Sequence, residues 1–264
     1  MKMKKILAVL MAVLMMALCF AGCGKTAQIV VAEAGSAGEE AMNAEAYFAD
    51  FTKTPVDTMA KALMEVKSGT ADMAIVDYVM SIGSIGEGTD YADLKLVDGV
   101  SFTPEKYGIA FRKGSDAVNY VNKAIKDLKA DGTLNTIATK YKLQDLILAD
   151  DDYEEIKATE SDWEYIKNKG TLVVGITYFA PMNYKDDNGE LIGFETEFAK
   201  AVADKLGLKV VFQEIDWNSK ETELASKNID CIWNGMTITE ERAENMQISI
   251  PYMENKQVCV VKAD

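Results

Sequence analysis

The chain has 264 residues, of which 48% are hydrophobic, and a net charge of −14 at pH 7. This length suits one two-lobed protein or two small domains, and the acidic balance argues against nucleic acid as a partner. The sequence contains no histidine, which excludes histidine-based catalytic triads, histidine general bases and histidine metal ligands.

The N-terminus has three lysines among its first five residues and then an apolar stretch over residues 6–20, shortly before Cys23. The stretch is short for a membrane span, so we expect a secretory signal over residues 1–22 and lipidation of Cys23. In such an exported protein Cys231 and Cys259 could form a disulfide. Both lie in apolar strand-like runs, however, which favours buried free thiols.

The first part of the chain alternates between strand and helix patterns. An apolar run at 29–32 is followed by a small-residue loop at 33–38 and a helical stretch, and a second apolar run at 73–76 leads directly to Asp77. Continuous apolar runs of this length are typical of strands that are buried on both faces. The pattern predicts an α/β fold with Asp77 at the carboxyl end of a buried strand.

The middle of the chain contains one strand pattern at 108–114 and two helix patterns, at 115–130 and 134–141. Residues 146–168 are acidic and have few apolar anchors, so we interpret them as a linker with some helix near its end. Three consecutive aspartates at 150–152 could suggest calcium, but they lack the spaced ligands and the glycine of a calcium-binding loop.

The C-terminal part returns to strands and helices. Strand patterns occupy 172–176, 208–212 and 257–262, a turn is expected at 185–189, and a helix at 194–206 carries apolar residues at four-residue spacing. The segments 67–75 and 226–232 share one pattern, namely a helix end, a tight turn, an aspartate and a buried strand. Two similar lobes that face one cleft would produce this repeat.

Residues 234–242 (Asn-Gly-Met-Thr-Ile-Thr-Glu-Glu-Arg) follow a buried strand and open a helix for which Thr239 is a good N-cap. The free N–H groups of such a loop attract a small anion, and Arg242 could clamp a carboxylate. The alternative is an ordinary capped helix with a surface arginine. Ligands of open α/β sheets bind at the carboxyl ends of strands, so Asp77 could meet the same ligand. A carboxylate on Arg242 and an amine on Asp77 suit an α-amino acid.

Several segments resemble the polar amino acid ABC-transporter substrate-binding proteins, which are family 3 solute-binding proteins with the periplasmic-binding-protein type II fold. The segments 170–175, 180–182, 193–198, 215–217, 234–242 and 249–252 resemble the first lobe of that family. The segments 34–36, 76–77, 107–114 and 127–133 resemble its second lobe and C-terminal return. The family has these lobes in the opposite order, which implies a circular permutation; a truncated piece of a tandem protein is the competing account.

The resemblance implies a two-lobed α/β fold of the Venus-flytrap type II, circularly permuted. With the lobes numbered as in the family, the resemblance implies a signal at 1–22 and lobe 2 at 23–107. Residues 108–145 would form a hinge strand and the return helices of lobe 1, and 146–168 the acidic linker. The rest of lobe 1, which ends in a second hinge strand, would occupy 169–264.

The resemblance also implies roles for individual residues. Arg242 and Thr237, with N–H groups near Gly235 and Thr237, should hold the ligand carboxylate, and Ser36 with the Ala37 N–H should close on it from lobe 2. Asp77 should hold the amine, while Trp217 and Phe179 should form aromatic walls, with plain core packing as the alternative. The expected ligand-binding set is Arg242, Thr237, Gly235, Asn234, Asp77, Ser36, Ala37, Trp217 and Phe179.

The implied function is that of a lipid-anchored receptor, at the outer face of the cytoplasmic membrane or in the periplasm. It would close about strands 108–113 and 257–262 on an amino acid and deliver it to an ABC permease. We expect a monomer without catalytic activity, cofactor, metal or nucleic-acid partner. Two alternatives stay open: a sensor for a small carboxylate that is not coupled to transport, and a dehydratase-like enzyme on the same fold.

Overall fold

The computed structural model describes residues 27–100, 102–149, 153, 155–157 and 161–263. The expected signal, the lipidation site Cys23 and the aspartates at 150–152 lie outside the described residues. None of the helices within the described ranges has both the length and the apolar character needed to cross a membrane.

Two five-stranded sheets form the two lobes. The strands are β1 Ile29–Glu33, β2 Thr52–Val56, β3 Met73–Asp77, β4 Leu94–Leu96, β5 Glu105–Tyr107, β6 Ala110–Arg112, β7 Thr171–Ile176, β8 Tyr184–Lys185, β9 Leu191–Ile192, β10 Lys209–Glu214, β11 Cys231–Ile232, β12 Met246–Ile248, β13 Met253–Asn255 and β14 Gln257–Lys262. The sheet of lobe 2 has the order β2-β1-β3-β14-β4, and the sheet of lobe 1 has the order β10-β7-β11-β6-β12.

The helices cover both lobes. They are α1 Ala37–Ala44, α2 Met59–Ser68, α3 Tyr78–Ser84, α4 Ala117–Ala130, α5 Thr133–Lys140, α6 Asp162–Lys169, α7 Phe194–Leu206, α8 Lys220–Ala225 and α9 Glu240–Asn245. The return helix α4 buries the stripe predicted for it, at Val118, Val121, Ile125 and Leu128. This stripe belongs to the same core as Phe194 and Phe198 of α7.

The structure confirms the internal repeat. In lobe 2, β1 is parallel to its neighbours β2 and β3, and β14 is antiparallel to β3. In lobe 1, β7 is parallel to its neighbours β10 and β11, and β6 is antiparallel to β11. The aspartates of the repeat have the same role, because Asp72 accepts the N–H of Ile29 and Asp230 accepts the N–H of Val173, each at 2.7 Å. The aspartate that precedes β3 therefore binds the backbone of β1, and the aspartate that precedes β11 binds the backbone of β7.

The chain crosses between the two lobes twice. The chain passes from β4 of lobe 2 through β5 to β6 in the sheet of lobe 1, and from β12 of lobe 1 through β13 to β14 in the sheet of lobe 2. The connecting strands β5 and β13 form an antiparallel pair, with Tyr107 opposite Met253. The predicted hinge strands at 108–113 and 257–262 contain β6 and β14, each of which is bonded to a neighbouring strand on both sides, and they follow the connecting strands β5 and β13.

The end of the predicted linker also differs from expectation. Residues 162–169 form α6, in which Trp163 and Ile166 are buried, and Asp162 accepts a hydrogen bond from Arg112 Nε at 2.8 Å. Because this buried pair and the apolar contacts tie α6 to lobe 1, the boundary of that lobe lies several residues before 169.

Two smaller predictions are confirmed. Strands β8 and β9 form a hairpin, and Asp186 Oδ1 accepts the N–H groups of Asn188 and Glu190 in its turn. Cys231 and Cys259 are buried free thiols, and they lie in different sheets.

Candidate ligand-binding site

A small cavity of about 10 Å³ lies between the two lobes, where the parallel strands of both sheets end. Eight of the nine predicted ligand-binding residues line this cavity; Phe179 does not. Its lining consists of Glu33, Ser36, Ala37, Met59 and Asp77 from lobe 2 and of Trp217, Asn234, Gly235, Thr237 and Arg242 from lobe 1. A space of this size holds about one water molecule, so a ligand requires the lobes to move apart.

The loop after β11 is fixed by buried polar contacts. The Asn234 amide donates to Thr177 Oγ1 at 2.6 Å and accepts from Asn183 Nδ2 at 3.0 Å. Gly235 has φ +55°, and a Cβ there would stand 2.8 Å from the ring of Phe179, so only glycine fits. Phe179 is therefore a packing partner of this loop, 3% exposed, and the aromatic wall predicted at this position is absent from the cavity lining.

The Gly235 N–H has a partner other than the one expected for it. It donates to Glu195 Oε1 at 2.8 Å, and the same carboxylate accepts from the Tyr252 hydroxyl and from Asn183 Nδ2. Glu195 is 1% exposed, and burial raises its pKa to about 7. The loop is thus held by an internal carboxylate, and the expectation that the Gly235 N–H faces a ligand is not met in this structure.

Arg242 is buried and connects the two lobes. Thr239 caps α9, as predicted, by accepting the Arg242 N–H at 3.2 Å. The guanidinium donates from Nη1 to the carbonyl of Thr237 at 2.9 Å, and from Nη2 to the carbonyl of Gly35 at 3.2 Å and to Glu40 Oε1 at 3.0 Å. A carboxylate of the protein itself, that of Glu40, therefore binds this arginine in the structure.

Asp77 lies on the opposite side of the cavity within an amide network. Its Oδ1 accepts from Asn255 Nδ2 at 3.0 Å and from Gln257 Nε2 at 2.5 Å, and both amides also donate to Glu105 Oε2 at 3.0 Å. Thr237 Oγ1 donates to the same Glu105 oxygen at 3.0 Å. Burial, and then the negative charge of Glu105, raise the pKa of Asp77 to about 6. The network holds two carboxylates close together at the crossing of the chain.

Ser36 and Ala37 form the start of α1. Ser36 Oγ accepts the N–H of Glu39 at 3.1 Å and donates to the carbonyl of Glu33 at 2.7 Å, so the hydroxyl acts as a helix cap. Ala37 is the first helical residue, and its position lines the cavity. The N-terminus of α1 thus faces the same space as Arg242.

Trp217 has two roles in the structure. Its side chain is 5% exposed and packs with Ile229, Ile232 and other apolar residues of lobe 1, and it also lines the cavity. Lys220 Nζ lies 4.8 Å from the centre of its ring and donates to the carbonyls of Gly35 and Trp217. Burial, and then the charge of Arg242, lower the pKa of Lys220 to about 8.

Sequence reasoning missed Glu33, the last residue of β1. Its side chain is 1% exposed and lines the cavity, and its Oε1 has no hydrogen-bond partner among the described residues. Burial, and then the charge of Asp77, raise the pKa of Glu33 to about 8. The signal that identified Asp77, an acid at the carboxyl end of a buried strand, applies equally to Glu33.

The comparisons with known proteins concern the part of the chain that carries Arg242. Residues 172–264 match the sequence model of the bacterial extracellular solute-binding proteins, family 3. This match covers about a third of the chain, so that part is similar to family 3. The L-cystine-binding protein TcyJ of Escherichia coli (strain K12) is 38% identical over 88 residues, which are 33% of this chain and 33% of that protein. The arginine-binding extracellular protein ArtP of Bacillus subtilis (strain 168) is 36% identical over 97 residues, which are 36% and 38% of the two chains.

The similarity extends to one enzyme and to solved structures. Cyclohexadienyl dehydratase of Pseudomonas aeruginosa is 30% identical over 101 residues, or 38% of each chain. An ABC uptake transporter substrate-binding protein from Streptococcus pneumoniae with bound histidine is 38% identical, covers 32% of this chain and 35% of that one, and has a TM-score of 0.31. The chain therefore spans about a third of the length of the curated relatives it matches, and TcyJ and ArtP, which it resembles over that part, are binding proteins.

Proposed function

We propose that the protein binds an amino acid between its two lobes and serves as the extracytoplasmic substrate-binding protein of an ABC transporter. The observation that carries this proposal is the position of Arg242 and Asp77, which line one cavity from opposite lobes. Arg242 would take the ligand carboxylate and Asp77 the ligand amine. The family 3 match of residues 172–264 and the amino acid ligands of TcyJ and ArtP support it.

The same residues suggest how ligand binding couples to closure. Arg242 belongs to lobe 1 and Asp77 to lobe 2, so only the closed arrangement completes the site, and the ligand favours that arrangement. The connecting strands β5 and β13 are the proposed hinge. Thr237, Ser36, the N-terminus of α1 and Trp217 would complete the enclosure of the ligand.

Calorimetry with the common amino acids tests the proposal. At least one should bind the wild-type protein, and Arg242→Ala should weaken that binding by at least about 30-fold, because it removes one side of a buried charge pair worth roughly 2–5 kcal/mol. Lys123→Ala is the matched control, since it removes one positive charge from a side chain that is 72% exposed. Binding that Arg242→Ala leaves unchanged would refute this site.

We further propose that the order of the lobes is a circular permutation of the family order. Strand β14 is antiparallel to β3, and β1 is parallel to β3, so β14 ends at the edge of the sheet where β1 begins. A chain that starts at 153, so that it keeps α6, joins 263 to 27 through a short linker and ends at 149 should fold and bind the same amino acid. Failure of that rearranged chain to fold would count against the permutation.

The membrane anchor and the transporter partner are proposals of the same kind. Lipidation of Cys23 would hold the protein at the outer face of the membrane, and a permease would bind the closed form of a monomer. Mass spectrometry of the membrane-bound protein tests the lipid, and a pull-down of the ligand-bound protein with a candidate permease tests the partner.

A dehydratase is the second candidate function. It is favoured by the 30% identity with cyclohexadienyl dehydratase and by Glu33, whose raised pKa of about 8 suits a general acid in a cleft. Recovery of the bound molecule after incubation separates the two functions. A binding protein returns it unchanged, whereas a dehydratase returns a product that is lighter by one water.

A further inference from the structure

We propose that Glu33, beside the Asp77 that takes the ligand amine, forms a subsite for a second cationic group, so that the cavity selects amino acids with a positively charged side chain. This inference rests on the proposed function and deepens it. Glu33 lines the cavity but contacts neither the carboxylate nor the amine of the ligand in the proposed function.

The fold brings the two carboxylates into the same space. Strands β1 and β3 are parallel neighbours, and they end at Glu33 and Asp77. Both residues line the cavity between the lobes, and both are buried, with exposures of 1% and 6%. Two acids at the carboxyl ends of adjacent strands therefore face one ligand volume.

The described residues leave one oxygen of the Glu33 carboxylate without a partner. No described residue donates a hydrogen bond to its Oε1, and no described lysine or arginine lies within ion-pair distance of it. A buried polar atom without a partner costs stability, and more so when it is charged. An oxygen of this kind that lines a cavity is a candidate ligand contact.

The charges that face Glu33 come from several elements. Asp77 on β3 and Asp216 before α8 repel its charge, whereas Lys220 on α8 and a hydrogen bond from the Met59 N–H on α2 stabilise it. Lys220 is engaged with the carbonyls of Gly35 and Trp217. The negative charge of Asp77 is the largest charge effect on Glu33, and a cation beside the Glu33 carboxylate would offset it.

The charges of the residues that line the cavity indicate which class of amino acid fits it. The ammonium of any amino acid matches Asp77, and its carboxylate matches Arg242. Glu33 adds one more negative charge; the buried Lys220 stabilises it from a distance but donates its hydrogen bonds to carbonyls, so a neutral ligand side chain leaves Glu33 without an ion-pair partner unless the carboxyl holds a proton. A ligand with a second cationic group replaces that proton and makes the buried charges match.

The test compares ligands of similar size that differ in charge. Calorimetry at pH 7 should show that the wild-type protein binds lysine or arginine at least about tenfold more tightly than glutamine or citrulline. Glu33→Gln should remove most of that preference while it keeps the binding of the neutral ligands. Glu87→Gln, which removes one negative charge from an exposed loop of the same lobe, should leave the preference intact.

A second readout detects the proton itself. Binding of lysine in two buffers of different ionisation enthalpy should reveal the release of a proton by the wild-type protein and a smaller release by Glu33→Gln. Equal affinity for lysine and glutamine in the wild-type protein would overturn the cationic subsite and leave the proposed function standing. Binding of none of the amino acids would overturn both.

Discussion

Glu40 forms an ion pair with the Arg242 guanidinium, the group that the proposed ligand carboxylate would bind. Its Oε1 lies 3.0 Å from Arg242 Nη2, and its side chain is 54% exposed, whereas that of Arg242 is 6% exposed. The pair also joins α1 of lobe 2 to α9 of lobe 1. Glu40→Gln should therefore raise the affinity for an amino acid, because the ligand no longer has to displace a competing carboxylate.

The size of this gain follows from the exposure of the pair. An ion pair with a well-exposed partner contributes roughly 0.2–1 kcal/mol, since water screens the charges and the side chain loses freedom. Because about 1.4 kcal/mol corresponds to a tenfold change, the affinity should rise by about 1.4-fold to 5-fold. The gain should shrink as salt is added, because salt weakens the competing pair.

Calorimetry of the wild-type protein and Glu40→Gln with the tightest amino acid ligand measures this effect. The matched control is Glu241→Gln, which removes the same charge from an exposed position in the first turn of α9. The control should bind as the wild-type protein does. Unchanged or weaker binding by Glu40→Gln would refute the reasoning that the ligand and Glu40 compete for Arg242.

Two further predictions concern stability. Asp230→Ala should lower the free energy of unfolding by roughly 3 kcal/mol, because it leaves the partly buried Lys169 ammonium without its carboxylate, and urea unfolding measures this against the exposed control Asp187→Ala. A loss no larger than that of the control would contradict it. The ligand-free protein should lose stability as the pH rises from about 5 to 8, because Glu33, Glu195 and Asp77 have pKa values raised to about 8, 7 and 6. The folded state holds these protons more tightly than the unfolded chain does, so the stability is fully present below the unfolded pKa values and is lost above the folded ones. Urea unfolding at several pH values should show this decline, and a stability that rises over the same interval would contradict it.

Much of the fold could be predicted because its signals are local. The buried strand ending at Asp77 is a continuous apolar run, and the cap at Thr239 and the turn at Asp186 depend on residues within four positions. The repeat at Asp72 and Asp230 was also visible, since each aspartate has the same sequence surroundings.

The contacts between residues that are far apart in the sequence could not be predicted. Glu40 and Arg242 are 202 residues apart, and Gly235 and Glu195 are 40 apart, and nothing in either local pattern indicates the other partner. For the same reason the predicted free N–H of Gly235 and the aromatic wall at Phe179 differ from the structure. The N–H is used by a buried carboxylate, and the ring fills the space that glycine leaves.

The most direct test of the account is a crystal structure of the protein with the tightest amino acid ligand. We expect the ligand to lie between the lobes, with its carboxylate on Arg242 in place of Glu40 and its ammonium on Asp77. A ligand bound outside the cavity that Arg242 and Asp77 line, or one that contacts neither of these residues, would contradict it.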